Sequence, residues 1–209
     1  PPSDAELLAQ WRDGDLRAGE ALFHRYYATV ERFFLNKLSS GVGDLVQDTF
    51  RACVEARDQV ADPTKFRAYL FSIAYNQLRS HLRRKQRRGV VLDVDEVTAH
   101  ALDPGPSSVL ARRREERLLL DGLRNIPIAD QVLLELHYWD EMTTADMAAV
   151  IGRPQGTIKR HLQQARARLE RAMAELAGSP ELLRSTLSDL ASWAAACRAA
   201  MAAADKDSP

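Results

Sequence analysis

The chain has 209 residues, of which 45% are hydrophobic and 28% charged, and its formal net charge is zero. This composition is ordinary for a soluble globular protein, and the length allows one large or two small domains. No apolar run approaches the roughly 20 residues that a membrane-crossing helix needs, so we expect no membrane insertion. The beginning of the chain lacks the charged-then-apolar pattern of a signal peptide, so we expect a cytoplasmic protein.

The cysteines and histidines form no pattern typical of a disulfide framework or a metal site. Cys53 and Cys197 are far apart in the sequence, and buried free thiols are the better interpretation of both. The five histidines are scattered without metal-ligand spacing. We therefore predict neither a metal nor a cofactor.

The predicted elements are helical throughout, because apolar residues recur at helical spacing and no run alternates for long enough to indicate a strand. Ser3 is a candidate N-cap for the first helix. Further helices are expected over 18–38, from a cap at Asp44 to about Arg57, and over 65–84. After residue 89 the helical periodicity fades, and a second helical set follows.

The domain boundary falls within residues 89–108, where acidic residues replace basic ones and the Pro-Gly-Pro-Ser-Ser sequence of residues 104–108 has a linker composition. The predicted fold class is all-α, with two small helical domains joined by a flexible linker and followed by a C-terminal helix. The predicted boundaries are 1–88 for the first domain, 89–111 for an acidic linker, 112–178 for the second domain and 179–209 for the C-terminal extension.

Basic residues are concentrated in two stretches despite the zero net charge. In the first, only Asp62 opposes Lys65, Arg67, Arg79, Arg83, Arg84, Lys85, Arg87 and Arg88. In the second, only Glu170 opposes Arg153, Lys159, Arg160, Arg166, Arg168 and Arg171. The segment 89–111 contains four acidic residues and no lysine or arginine. Because a phosphate backbone responds to charge within a Debye length, these local stretches indicate nucleic-acid binding.

The most specific local pattern is a helix-turn-helix over 142–168. Thr143 is a good N-cap with Asp146 three residues further on, and Gly152 stands where a sharp turn needs a positive φ. Arg153 and the outer face of the second helix supply side chains that reach phosphates and base edges in a major groove. The predicted duplex-DNA site comprises Arg153, Gln155, Thr157, Lys159, Arg160, Gln163, Gln164 and Arg166. The alternative is an ordinary αα-hairpin with a solvated basic face.

Two ordered sets of motifs carry a family resemblance. The second half reads IP at 126–127, VLLELHY at 132–138, GTIK at 156–159 and ARARL at 165–169. The first half reads DLVQDTF at 44–50, FRAYLFSIAYN at 66–76 and LRR at 82–84. These resemble regions 4 and 2, respectively, of extracytoplasmic-function (ECF) sigma factors of the sigma-70 family. The resemblance covers about residues 5–88 and 112–177, and two motifs in order are more specific than either alone.

The resemblance implies an RNA polymerase sigma factor, which binds core polymerase and directs it to promoters without being an enzyme itself. The implied partners are core RNA polymerase and promoter DNA, and an anti-sigma factor is left open. By the resemblance, a helical face docks on the clamp helices of the largest polymerase subunit. The residues on that face are Asp44, Gln47, Asp48 and Arg51. The opposite side of this helix, expected to face the core, carries Leu45, Val46, Thr49, Phe50, Cys53 and Val54.

The resemblance also implies a site for the melted −10 strand, where a loop captures a flipped-out base and a helix follows the strand. The matching loop is Asp62, Pro63, Thr64 and Lys65, and the matching helix surface offers Arg67, Asn76, Arg79, Ser80, Arg83 and Arg84. A pocket for an unstacked base and a basic track for phosphates suit a single strand. Tyr69 and Tyr75 could stack on bases, but their spacing favours the core. The helix-turn-helix would read the −35 duplex.

Two segments keep alternative interpretations. The acidic stretch at 93–96 fits a linker that mimics nucleic acid in a polymerase channel, or an ordinary solvated linker. The apolar stripe of the C-terminal helix, which includes Trp193, packs on one of the two domains or on a partner, or extends the core of the second domain.

Other functions explain less of the chain. A stand-alone helix-turn-helix regulator would leave the DLVQDTF helix and the loop at 62–65 unexplained. A helical hydrolase or metalloenzyme is poorly supported, because no catalytic or phosphate-binding motif is present.

Overall fold

The computed structural model describes residues 1–85, 93–102, 114–188 and 192. The regular structure of these segments is helical, apart from one isolated antiparallel bridge between Thr98 and Pro127. This confirms the predicted all-α class. The helices are α1 (Asp4–Arg12), α2 (Leu16–Leu35), α3 (Val42–Glu55), α4 (Phe66–Lys85), α5 (Ala99–Leu102), α6 (Arg114–Arg124), α7 (Ile128–Tyr138), α8 (Thr144–Ile151), α9 (Gln155–Leu176) and α10 (Pro180–Ser188). Single 3-10 turns lie at Arg57–Gln59 and Pro63–Lys65.

Local capping chemistry sets the first helix boundaries. Ser3 caps α1 in a reciprocal capping box with Glu6, which confirms its prediction as the N-cap. Asp15 accepts from the backbone N–H of Arg17 and starts α2 two residues before the predicted position. The prediction that Asp44 caps α3 is wrong: α3 begins at Val42 because Gly41 adopts a φ of 77°. Asp44 lies in the first turn, where its negative charge suits the helix dipole.

The first helical unit packs α1 to α4 around a shared apolar core. The predicted core face of α3 is buried except at Val54, which is 39% exposed, so its assignment to the core is wrong. Val54 lies at the end of α3, one residue before the helix stops at Glu55. Burial raises the pKa of the Cys53 thiol to about 12, which makes it an unreactive buried thiol. Cys197 lies outside the described residues.

The second unit packs α6, α7, α8 and α9 around Leu123, Val132 and Leu162. The C-terminal helix α10 packs against α6 and α9, where Leu182 and Leu183 are half-buried against the core. In the described part of the C-terminal extension, the apolar stripe therefore packs on the core of the second unit. Trp193 and the rest of the stripe lie outside the described residues.

Part of the segment predicted as linker packs on the second unit. Val94 and Ala99 are buried, at 6% and 0% exposure. The backbone N–H of Ile128 donates to the Val97 carbonyl at 2.9 Å, and that of Ala129 donates to the Val94 carbonyl at 2.8 Å. Residues 93–102 thus fix the start of α7, whereas residues 103–111 lie outside the described part of the chain.

The two units are in direct contact in this structure. Helix α8 packs against α4, and α2 meets α7 through buried polar groups. Within the residues that the structure describes, no helix has the length and apolar character needed to cross a membrane.

Candidate nucleic-acid interface

The outer face of α9 is presented to solvent by the helix-turn-helix geometry. Thr143 accepts from the Asp146 backbone N–H at 3.1 Å, and Gly152 ends α8 with a φ of 72°, both as predicted. Ile158 and Leu162 anchor the inner face of α9 in the core. The predicted DNA residues on the outer face that are exposed are Gln155, Lys159, Arg160, Gln163 and Gln164, and Thr157 and Arg166 are half-buried. This surface combines cations with amide groups, the chemistry that reads a major groove.

Neighbouring rings hold Arg166 in place. Its Nη2 lies 3.0 Å from His137 Nε2, and its guanidinium carbon lies 5.4 Å from the centre of the Tyr138 ring. Burial and the adjacent Arg166 cation hold the pKa of His137 below its usual range. A neutral imidazole accepts the hydrogen bond from Arg166. His137 and Tyr138 are thus positioning residues that sequence reasoning did not identify.

Arg153, just before α9, contacts another part of the chain. Arg153 Nη2 donates to Asp95 at 2.7 Å, so an acidic residue of the predicted linker pairs with a predicted DNA-binding cation. Arg153 and Gln164 line a cavity of about 250 Å³ together with Tyr75 of α4. The cavity therefore lies between the two helical units.

The turn before α4 is built by its own side chains. Asp62 Oδ1 accepts from the Thr64 backbone N–H at 2.9 Å and from the Thr64 hydroxyl at 2.6 Å. These hydrogen bonds lower the pKa of Asp62 and keep its carboxylate charged. Pro63 begins the 3-10 turn, and Lys65 ends it with its side chain directed to Asp146 at 2.8 Å.

Arg12 supports this turn from α1, a role that the sequence did not signal. Its Nη2 donates to the carbonyls of Arg57 and Val60, each at 2.7 Å. These bonds fix the backbone immediately before Asp62. An arginine at the end of α1 is far from the turn in sequence, so only the fold identifies this contact.

Three of the six predicted −10 residues of α4 are exposed, and the other three are half-buried. Asn76, Arg83 and Arg84 are exposed, and Arg67, Arg79 and Ser80 are half-buried. Tyr75 is 3% exposed with the Arg79 guanidinium 5.7 Å from its ring centre, and the Tyr69 hydroxyl donates to the Ala56 carbonyl at 3.2 Å. Both tyrosines are thus engaged within the protein, in keeping with the core interpretation.

The predicted polymerase-docking residues share one side of α3. Asp44, Gln47 and Arg51 are exposed, and Asp48 is half-buried in an ion pair with Arg51. The opposite side of the helix lies in the core. The face therefore offers both signs of charge to a partner.

Among the described residues, no group of histidine, cysteine and carboxylate side chains is arranged to hold a metal ion.

Comparison with known proteins matches both halves of the chain. Residues 22–88 match the model of "Sigma-70 region 2", and residues 116–169 match that of "Sigma-70, region 4". The ECF RNA polymerase sigma-E factor of Salmonella typhimurium is 24% identical over 183 residues, covering 83% of this chain and 96% of the relative. The RNA polymerase sigma factor NccH of Alcaligenes xylosoxydans xylosoxydans is 27% identical over 175 residues, covering 81% and 94%.

Solved structures give the same result. CnrH, solved in complex with the cytosolic domain of CnrY, superposes with a TM-score of 0.58 at 27% identity and covers 83% of this chain and 99% of its own. The sigma factor RpoE of Bartonella quintana, solved with the anti-sigma factor NepR, shares the fold with a TM-score of 0.56 at 21% identity, covering 74% and 96%.

The two helical units, in this order, define a sigma factor that directs RNA polymerase in transcription initiation. The chain belongs to the sigma-70 family, as a member of its ECF type.

Proposed function

We propose that this sigma factor divides its contacts among three surfaces. The α3 face formed by Asp44, Gln47, Asp48 and Arg51 docks on the clamp helices of the largest polymerase subunit. The exposure of this face supports the proposal, since its other side is fixed in the core. Its mixed charges favour a specific partner because complementary charges set the orientation of docking.

The second surface binds the melted −10 strand. The turn Asp62–Lys65 takes an unstacked base, and the strand follows α4 along Arg67, Asn76, Arg79, Ser80, Arg83 and Arg84. The hydrogen bonds within the turn support this role, because extruding a base costs a few kcal/mol and a pre-ordered turn loses little further freedom on binding. The exposed arginines at the end of α4 supply cations for the phosphates.

The third surface reads the −35 duplex through α9. Lys159, Arg160 and Gln163 lie in the middle of its exposed face, and Gln155, Thr157, Gln164 and Arg166 flank them, with Arg153 at the turn. One observation carries the whole proposal. An exposed basic helix that follows an ordered turn precedes an exposed helix-turn-helix face on the same chain, and regions 2 and 4 of the family stand in this order.

The remaining assignments follow from this division. The functional boundaries are 1–88 for polymerase docking and −10 binding, 89–111 for the linker, 112–178 for −35 binding and 179–209 for the extension. The protein acts in the cytoplasm and is not itself an enzyme, since the polymerase supplies the chemistry. Both structural relatives named above were solved as complexes, one of them with an anti-sigma factor, which supports an anti-sigma factor as a further partner.

Footprinting of one promoter complex tests the division between the two DNA surfaces. A promoter is first selected by transcribing genomic fragments with the reconstituted holoenzyme. Lys159→Ala should weaken nuclease protection of the upstream duplex, whereas Arg83→Ala with Arg84→Ala should reduce permanganate reactivity of the melted strand. If both variants altered the same element, the division would be wrong. Tight binding to duplex DNA without polymerase, with no transcripts in its presence, would favour a stand-alone regulator.

A further inference from the structure

Arg166 continues a row of side chains on the outer face of α9. Lys159, Gln163 and Arg166 follow one another at steps of four and three residues, so they lie on the same side of the helix. Lys159 and Gln163 are exposed, whereas Arg166 is half-buried. The protein therefore holds the Arg166 side chain at the edge of the surface that we assign to the −35 duplex.

Two side chains at the end of α7 hold the Arg166 guanidinium. His137 Nε2 lies 3.0 Å from Arg166 Nη2, and the centre of the Tyr138 ring lies 5.4 Å from the guanidinium carbon. The two rings pack edge to face with their centres 4.8 Å apart, so each restricts the other. Arg166 Nη1 forms no hydrogen bond with the residues that the structure describes. One terminal nitrogen is thus fixed by the protein, and the other is available to a phosphate.

The hydrogen bond between these side chains requires a neutral His137. A guanidinium only donates, so the imidazole must accept through a nitrogen that carries no proton. Protonated His137 has a proton on both ring nitrogens and a positive charge. It loses this hydrogen bond and faces the Arg166 cation at a nitrogen–nitrogen distance of 3.0 Å. Protonation of His137 therefore displaces the Arg166 side chain.

The surroundings of His137 do not compensate the charge of an imidazolium. Burial lowers the pKa of His137, the Arg166 cation lowers it further, and the Met142 backbone in the turn before α8 opposes both. Helices α6, α8 and α9 pack against α7. Among the described residues of these helices, Arg166 is the charged group that acts on the ring, and no carboxylate does so.

We infer that His137 is a positioning residue for the −35 duplex: its neutral imidazole holds Arg166 ready for a phosphate, and duplex binding weakens when this imidazole is protonated. This role rests on the proposed function, since it takes Arg166 as a phosphate contact of the −35 surface. A side chain that is already fixed loses little further freedom on binding. A released arginine has to lose that freedom when it makes the same contact, so its contact is weaker.

The experiment compares pH profiles of duplex binding by the holoenzyme. The DNA is the −35 duplex of a promoter selected by transcribing genomic fragments. His137→Gln keeps an uncharged acceptor for Arg166, whereas His137→Leu removes the acceptor. At about pH 7.5 we expect His137→Gln to bind like the wild type and His137→Leu to bind about fivefold more weakly, as for a lost phosphate contact. Between about pH 7.5 and about pH 5.5 the wild type should lose about threefold more affinity than His137→Gln, since only the wild type gains a proton at this position.

Arg166→Ala provides the matched control. A chain without this guanidinium leaves residue 137 with nothing to hold. In the Arg166→Ala background, His137→Leu should therefore cause no further loss, and His137 and His137→Gln should give the same pH profile. Circular dichroism checks that each variant keeps its helical content.

Four results would overturn the inference. If Arg166→Ala weakens binding but the profiles of the wild type and His137→Gln are parallel, Arg166 contacts DNA without help from His137. If His137→Leu weakens binding equally in the Arg166→Ala background, its effect is general damage to the fold. If Lys159→Ala weakens binding and Arg166→Ala does not, the role of His137 fails while the −35 surface stands. If neither substitution has an effect, the −35 assignment fails together with the role of His137.

Discussion

In the proposed function, we expect single side chains on the exposed face of α9 to determine how strongly the −35 duplex is bound. We expect Lys159→Ala or Arg160→Ala to weaken duplex binding by about 1–3 kcal/mol where a base contact is lost, and by less where only a phosphate contact is lost. Each lost phosphate contact also makes the affinity less dependent on salt. Titrations of the holoenzyme at several salt concentrations measure both effects. Arg184→Ala, at an exposed position of α10 outside both basic stretches, is the control and should leave the affinity unchanged.

His137 is expected to make stability depend on pH. Burial and Arg166 lower the pKa of His137 in the folded chain, so below about pH 6.5 the unfolded chain binds a proton that the folded chain does not. The contribution of neutral His137 to the free energy of unfolding is therefore present at neutral pH and lost as the pH falls. Between about pH 7 and about pH 5.5 the free energy of unfolding should fall more in the wild type than in His137→Gln, which keeps an acceptor for Arg166. Urea unfolding at each pH checks this, and parallel profiles would contradict it.

At the scale of helices, close packing of α1 on α2 depends on Gly19. A Cβ atom there would lie 2.7 Å from Nε1 of Trp11, whose ring is rigid and whose exposure is 4%. We expect Gly19→Ala to destabilise the chain by about 1–3 kcal/mol through overpacking. Gly43→Ala, in α3 with no atom within 4 Å of the added Cβ, is the control and should be neutral or slightly stabilising. Equal denaturation midpoints for the two variants would refute the packing argument.

Helix α3 is expected to govern binding to the polymerase. Asp48→Arg reverses a charge in the proposed docking face and places two cations side by side with Arg51. We expect the affinity for core polymerase to fall about tenfold, or ~1.4 kcal/mol, with helical content unchanged. Glu20→Arg makes the same charge change on the exposed surface of α2 and should have no effect. Unchanged binding of Asp48→Arg in a pull-down or titration would remove α3 from the interface.

Elements with local signals were predictable from the sequence. The cap at Thr143, the turn at Gly152 and the inward stripe of α9 each depend on neighbouring residues, and the structure has them where the pattern placed them. The start of α3 was not predictable from the same rules, because Gly41 takes a positive φ and makes the cap at Asp44 unnecessary. The outer face of α9 followed from helical spacing, whereas the docking residues of α3 and the −10 residues of α4 were assigned by the family resemblance.

At the scale of the whole molecule, contacts between distant residues could not be predicted. Lys37, two residues after α2, pairs with Glu135 of α7 in the other unit, and neither residue has a neighbour in sequence that signals the other. The sequence likewise does not signal the hydrogen bond from Arg12 to the backbone before α4, or the ion pair of Asp95 with Arg153. Periodicity identifies which face of a helix is buried, but the partner of that face depends on the relative position of the units. Acidic residues of one unit also pair with basic residues of the other, Asp146 with Lys65 and Asp140 with Arg67.

The measurement that most directly tests the central claim is reconstituted transcription. Purified chain is added to core RNA polymerase with fragments of the source genome as templates, and the 5′ ends of the run-off transcripts are mapped. A promoter-directing sigma factor predicts transcripts that begin at discrete positions and share upstream −10 and −35 sequences, with none of these from core polymerase alone. Transcripts with the same start sites in the presence and absence of the chain, or no transcripts at all, would contradict the assignment.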